Sequence, residues 1–384
     1  MCAKQQMTKL ERTIATFKHQ ETDRVPLYDL MLNDDCIEYF TGYYAPYGEI
    51  GAKVQAQAVD CMLDMARGVG CGPRQLPTDF FTDDPKLREY ARYSDLRESH
   101  VPFSSLDAAT NWLQAQNSAV SKWRDTTNLQ QEADNSRQSF ARLYSWMGTD
   151  HVVCCLRESG VGLDSIRATI GLEYFSYLCA DVPELISEHL ECVTEREVAI
   201  IHAIADSQLS PWALTYGDIG MKNSLLHSPE WLRQEFFPRL TRLNDAYHEH
   251  GIYCLFHSDG YLMEIMPDLI ASGIDGINPI ETVAGMDIGE IYRLYGDKIF
   301  LTGGIDMSQL LSNGTPDDVR QVCRKAVSDA PRGYFMGSTT EIDNSSRLEN
   351  VLAMLSTSWG FTPPGAKTDI LEQIRRRREA GATS

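Results

Sequence analysis

The chain reads as an α/β protein built on a parallel sheet. From about residue 150 onward, short apolar runs of strand length alternate with longer amphipathic segments, and Gly, Pro and Asp punctuate each change. The connections are short, which favours right-handed β-α-β crossovers. Six such strands follow residue 150, and VPLYDL (residues 25–30) adds one near the N-terminus. An eighth, in residues 72–105 or around 140, would close a barrel, with 1–384 as one domain. An open doubly wound sheet is the alternative. No G-x-G-x-x-G follows the first strand and no P-loop is present, which weakens the nucleotide-binding form of that alternative.

Residues 7–19 have the spacing of an amphipathic helix, and Asp23-Arg-Val-Pro26 leads from it into the first strand. A second helix is expected over 50–67, ended by the Gly/Pro-rich GVGCGPRQLP. Residues 72–105 look irregular or hairpin-like, and the helix SLDAATNWLQAQNSAVSKW follows, with Ser105 or Asp107 as its cap. HVVCCL is a strand and LDSIRATI a short helix. The long helix beginning DVPEL has an Asp cap and an early Pro. WALTYGD is a strand, and Ser228 and Pro229 open the next helix, which Gly251 stops. The strands IYCLFHSDG, DGINPIE, KIFLTGGID and GYFMGSTTEI then alternate with helices to about residue 360, and a helix closes the tail.

The chain has 384 residues, 43% hydrophobic and 23% charged, with 35 Lys and Arg against 54 Asp and Glu. A net charge of −19 repels nucleic acid and anionic membranes in bulk. No apolar run approaches a membrane span, and the N-terminus lacks the core of a secretory signal, so a cytoplasmic protein is expected. The ten cysteines form no CxxC and read as reduced thiols. The run Arg375–Arg378 suits the end of a helix.

In a barrel of this type, chemistry sits at the C-terminal ends of the strands. Those ends read Tyr216-Gly-Asp218, His257-Ser-Asp259-Gly260, Asn278-Pro-Ile-Glu281, Gly303-Gly-Ile-Asp306 and Ser338-Thr-Thr-Glu341. Convergent carboxylates would raise some pKa values and favour a cation or a shared proton. His257 and Asp259, two residues apart, would share a face if the strand continued through both. They are the leading catalytic pair, with Asp218 and Glu341 beside them. Asp29, Tyr216, Asn278, Glu281, Gly303 and Ser338 are candidates for contact with a small-molecule substrate. Asp34, after the first strand, is a weaker candidate. Each residue also has a structural reading: Asp306 as a helix cap, the Gly303-Gly304 pair for close backbone approach, Asn278 and Glu281 for loop geometry around Pro279.

Several stretches resemble the uroporphyrinogen decarboxylase superfamily: Phe256–Gly260, Ser272–Glu281, Tyr295–Asp306, Gly314–Val327 and Leu348–Met354, together with the opening TKLERTIATFKHQETDRVPLYD. The likeness spans nearly the whole chain and is strongest from Trp212 to Gly360. It implies a (β/α)8 TIM barrel over residues 25–360, an N-terminal helical extension over 1–24 and a tail helix over 361–384, often as a homodimer. The superfamily includes the decarboxylase itself and methyltransferases that move methyl groups between corrinoid proteins and thiols or other acceptors. The decarboxylase carries an Arg-Gln-Ala-Gly-Arg segment after its first strand. Here the text is Asp29-Leu-Met-Leu-Asn-Asp-Asp35, which would repel an acidic porphyrinogen.

The thiol methyltransferases resemble this chain more closely. Their zinc is held by a His-x-Cys at one strand end and a second Cys on the last strand. In this chain His257 keeps its place, Asp259 replaces the first Cys, and Thr340 stands where the second would fall, beside Glu341. The resemblance thus implies a harder site of His257, Asp259 and Glu341 for zinc or another divalent ion, or His257 acting without metal as an acid or base oriented by Asp259. It also implies a methyl-corrinoid supplied by a small corrinoid protein as partner. Two other expectations stand beside methyl transfer. One is a decarboxylase-like lyase acting on a smaller carboxylate, for which Arg24, Arg157 and Arg167 are the candidate anion clamps. The other is a non-catalytic binding protein on the same scaffold.

Overall fold

The computed structural model describes residues 6–43, 48–70 and 103–382. The irregular or hairpin-like stretch expected over 72–105 lies, up to residue 102, outside the described residues. The strands are β1 (Tyr28–Asp29), β2 (Met65–Ala66), β3 (Val153–Cys154), β4 (Glu158–Gly160), β5 (Trp212–Tyr216), β6 (Tyr253–His257), β7 (Gly276–Ile280), β8 (Phe300–Ile305) and β9 (Tyr334–Ser338). Only residues 155–157 separate β3 from β4, so the two are one interrupted strand along the chain. Counted this way, the described residues hold eight strand positions, alternating with helices.

The fold divides into two compact units. The first comprises Met1–Thr78, Phe140–Cys155 and Gly276–Ser384. Within it β3 pairs with β2, β2 with β1, β9 with β8 and β8 with β7, all in parallel. Parallel bridges from Leu27 to Met336 and from Met31 to Ile342 join the chain flanking β1 to that of β9. β7, β8 and β9 are buried at every position, as parallel strands covered on both faces must be.

The N-terminal helix Lys9–Phe17 belongs to this unit. Thr8 and Glu11 form its capping box, and Phe17 packs 4.7 Å from the Phe300 ring and 5.6 Å from Phe335. Its buried Arg12 pairs with Asp23 and Asp64 at 2.6 Å each. Asp64, fully buried, also accepts from Arg24 and from the Leu27 backbone N–H.

The second unit comprises Asp79–Ser139 and Leu156–Asp275. Within it β4, β5 and β6 pair in parallel; helix Pro183–Ile204 packs on β4, helix Phe237–His248 packs on β4, β5 and β6, and helices Leu163–Ile170 and Leu172–Asp181 pack on each other. Trp212, Phe236, Tyr247 and Phe256 form the centre of its core. Ser228 caps the Trp231 N–H and Pro229 takes the first helical position, as the sequence predicts.

Three expectations about elements change. The helix of 50–67 ends at Met62, and Met65–Ala66 forms β2 instead. A two-residue strand shows no alternation for periodicity to detect, and it follows an amphipathic run directly. The segment around 140 is helix Leu129–Tyr144, and among the described residues the strand not foreseen is β2. The long helix starts at Pro183 without a side-chain cap, because Asp181 already ends the helix before it.

Candidate active site

β5 and β6 end side by side: Tyr216 registers with His257, and the Gly217 N–H donates to the His257 carbonyl at 3.1 Å. The loops beyond them are joined by three more hydrogen bonds, and a fourth lies within the second loop. Ile219 N–H donates to Ser258 Oγ at 3.1 Å, Asp259 N–H to Asp218 Oδ1 at 3.3 Å, Tyr261 N–H to the Met221 carbonyl at 2.8 Å, and Ser258 Oγ to the Asp259 carbonyl at 3.0 Å. Two glycines allow this approach. A Cβ on Gly220 would stand 2.5 Å from the Asp259 carbonyl oxygen, and one on Gly260 would stand 2.5 Å from the Gly220 carbonyl carbon and the Met221 nitrogen. Gly260 also has φ +94°, in the region that favours glycine.

This arrangement brings Asp218, His257 and Asp259 together, with one ligand-type atom from each within 4.8 Å of the others. His257 Nε2 lies 3.9 Å from Asp218 Oδ1. The His257 side chain is 10% exposed, whereas the Asp218 side chain is 48% exposed, so the group is open to solvent from the Asp218 side. β6 stops at His257, so strand alternation does not carry Asp259 to the His257 side. The Gly260 turn and the loop contacts with Asp218 place it there.

Behind the group stand two residues that sequence reasoning did not assign together. Asp164 accepts from the Asp218 N–H at 3.1 and 3.2 Å, and Arg167 donates to the Asp218 carbonyl at 2.7 Å. Arg167 also bonds Asp164 at 2.5 Å. The Asp218 peptide is therefore held at both its N–H and its C=O. Burial, and then the Asp218 charge, push the Asp164 carboxyl up to about 6. Their spacing of three on helix Leu163–Ile170 was the available sequence signal. Burial first, then Asp164, raises the Tyr216 hydroxyl above its ordinary value.

The remaining candidates lie in the first unit. Asp29 accepts from the Ser338 N–H at 2.8 Å and Ser338 Oγ at 2.7 Å, which ties β1 to β9. Burial pushes its carboxyl up to about 7 against the lowering effect of Ser338, and Glu341 raises it further. Glu341 accepts from Thr340 Oγ1 at 2.9 Å. Asp34, at the first turn of its helix, accepts from Asn344 Nδ2 at 2.8 Å. Asn278, before a cis Pro279, is buried and donates to Thr302 Oγ1 at 2.9 Å, and Glu281 follows β7 directly. Gly303 has φ +95°, and a Cβ there would stand 2.9 Å from the Ser338 carbonyl oxygen. Asp306 caps the turn after β8 by accepting from the N–H groups of Ser308, Gln309 and Leu310.

One imidazole and two carboxylates form a nitrogen–oxygen donor set that suits zinc or a harder divalent ion, and their spacing fits one ion after small side-chain shifts. Without an ion, the same group is a histidine flanked by two acceptors, suited to proton transfer.

The comparisons agree with this architecture. The family model described as uroporphyrinogen decarboxylase (URO-D) matches residues 168–358, which include β5 to β9 and the Asp218–His257–Asp259 group. No curated protein sequence matches the chain. Among solved structures, a methyltransferase from Methanosarcina mazei aligns with a TM-score of 0.59 at 16% identity, covering 92% of this chain and 99% of that one. At that identity the likeness shows the fold alone, and the fold is the parallel α/β TIM-barrel class that the strand count implies. Residues 168–358, just under half of the chain, thus carry the likeness to the uroporphyrinogen decarboxylase family.

Proposed function

We propose that this chain is a methyltransferase that moves a methyl group between a corrinoid, carried by a small partner protein, and a small acceptor. The observation that carries this reading is the meeting of Asp218, His257 and Asp259 at two adjacent strand ends. The fold shared with the Methanosarcina mazei methyltransferase supports it. Asp218, His257 and Asp259 would hold a divalent ion, which when bound lowers the pKa of an acceptor thiol or hydroxyl. The chain's own part is to fix that geometry: Asp164 and Arg167 hold the Asp218 peptide, and the Gly220–Gly260 contact holds the two loops.

The lyase reading needs a cationic clamp for a substrate carboxylate, and the three arginines expected for it are engaged elsewhere. Arg24 pairs with Asp64 at 2.7 Å, Arg157 with Glu197 at 2.9 Å, and Arg167 with Asp164. Methyl transfer needs no such clamp.

The test is demethylation of methylcobalamin in the presence of zinc and a panel of thiol, folate and amine acceptors. Transfer to at least one acceptor class is expected. His257→Ala should slow it by about 100-fold or more, the scale of losing an acid–base or metal-binding group. A well-folded chain that transfers to no acceptor would refute the proposal.

A further inference from the structure

A second cluster of metal-ligating side chains lies at the other end of β6. His248 is the last residue of helix Phe237–His248, Cys254 is the second residue of β6, and Asp275 directly precedes β7. One donor atom from each lies within 4.8 Å of the others. Asp275 Oδ2 is 2.8 Å from His248 Nε2 and accepts from the Cys254 backbone N–H at 2.7 Å.

We propose that His248, Cys254 and Asp275 form a thiolate-containing site for a divalent cation of the zinc type, separate from the Asp218–His257–Asp259 group. The donors are one nitrogen, one sulfur and one oxygen, a set that suits zinc. Bonds of roughly 2.0–2.3 Å to each donor need side-chain shifts of about an ångström. Cys254 lies three residues before His257, roughly 10 Å along the strand, so one ion cannot serve both clusters.

The electrostatics favour a cation. Cys254 is fully buried, and burial, with the charges of Asp275 and Asp245, pushes its thiol far up. The hydrogen bond that the His248 ring N–H donates to Asp275 raises the imidazole above its ordinary value, and Asp245 adds to the effect. These carboxylates oppose a bare thiolate and attract a dication for the same reason. On binding, the Cys254 thiol proton passes to solvent, the Nε2 proton that His248 donates to Asp275 passes to solvent or, through solvent, to Nδ1, and the freed sulfur, nitrogen and carboxylate oxygen bond the ion. The His248 side chain is 36% exposed, so the fourth position opens to water. Such an ion would pin the helix end to β6 at the base of the unit, a structural task remote from the strand ends where chemistry is placed.

The test uses cobalt(II) as the probe, added to the full chain after chelation. Of the two clusters among the described residues this one alone contains sulfur, so a thiolate-to-cobalt charge-transfer band reports it and not the His257 group. The expected result is a band that saturates at one ion per chain and is kept in His257→Ala. It should be lost in Cys254→Ser, and at least tenfold more cobalt should be needed in His248→Ala and Asp275→Asn. His248 is half-exposed, so its variant keeps the test valid should Cys254→Ser fail to fold. Absence of the band from the wild-type chain, or its persistence unchanged in His248→Ala, would overturn the proposal.

Discussion

Beneath β9 the Asp29 carboxyl is 2% exposed and pushed up to about 7, so its titration is linked to stability. In the unfolded chain an Asp ionises near 4. Between about 4 and about 7 the folded chain therefore binds the extra proton. The contribution of this group is fully present below the unfolded value and falls away as pH rises through that window. Asp29→Asn should remove this dependence: relative to the wild-type chain, its stability should rise between pH 4 and pH 7 by up to about 4 kcal/mol. Denaturant unfolding of both proteins at several pH values checks this, and parallel curves would contradict it. At this scale the sequence was partly legible. His257 and Asp259 stood out as polar residues at the end of an apolar run, but the reason for their proximity was not visible. Asp259 is placed by the turn at Gly260, not by strand alternation. The companion to the pair within the second unit is Asp218, whereas Glu341 belongs to the first unit.

The joined loops after β5 and β6 set what can change without harm at the scale of elements. Gly260→Ala must place a Cβ 2.5 Å from backbone atoms at φ +94°, so the loops have to part. A loss of about 1–3 kcal/mol in unfolding free energy is expected, together with loss of methyl transfer. An active Gly260→Ala variant of wild-type stability would show that the loop contact does not matter. The N-terminal helix makes a second case. Asp64 is fully buried between Arg12 and Arg24, and Asp64→Ala would leave both guanidinium groups without it. Breaking such a pair costs about 3–5 kcal/mol, measurable as a fall in the denaturation midpoint. Long elements were readable because their caps and periods are local: Ser105, Ser228 and Thr315 each cap the helix that follows. β2 escaped because two residues carry no period, and its strand character comes from pairing with β1 and β3.

For the molecule as a whole, strand–helix alternation and seven strand positions were legible in the sequence, while the eighth was expected elsewhere than at β2; the family match over residues 168–358 agrees with the alternation. The net charge of −19 argues against a nucleic-acid partner, and no helix among the described residues is long and apolar enough to cross a membrane. The identity of the acceptor was not legible, because substrate choice depends on side chains that converge from distant parts of the chain. The most direct measurement of the central claim is anomalous diffraction at the zinc edge from crystals grown with zinc. A peak bonded to His257 Nε2 and to the carboxylates of Asp218 and Asp259 is the predicted result. Zinc bound elsewhere in the crystal with none among these three side chains would contradict it.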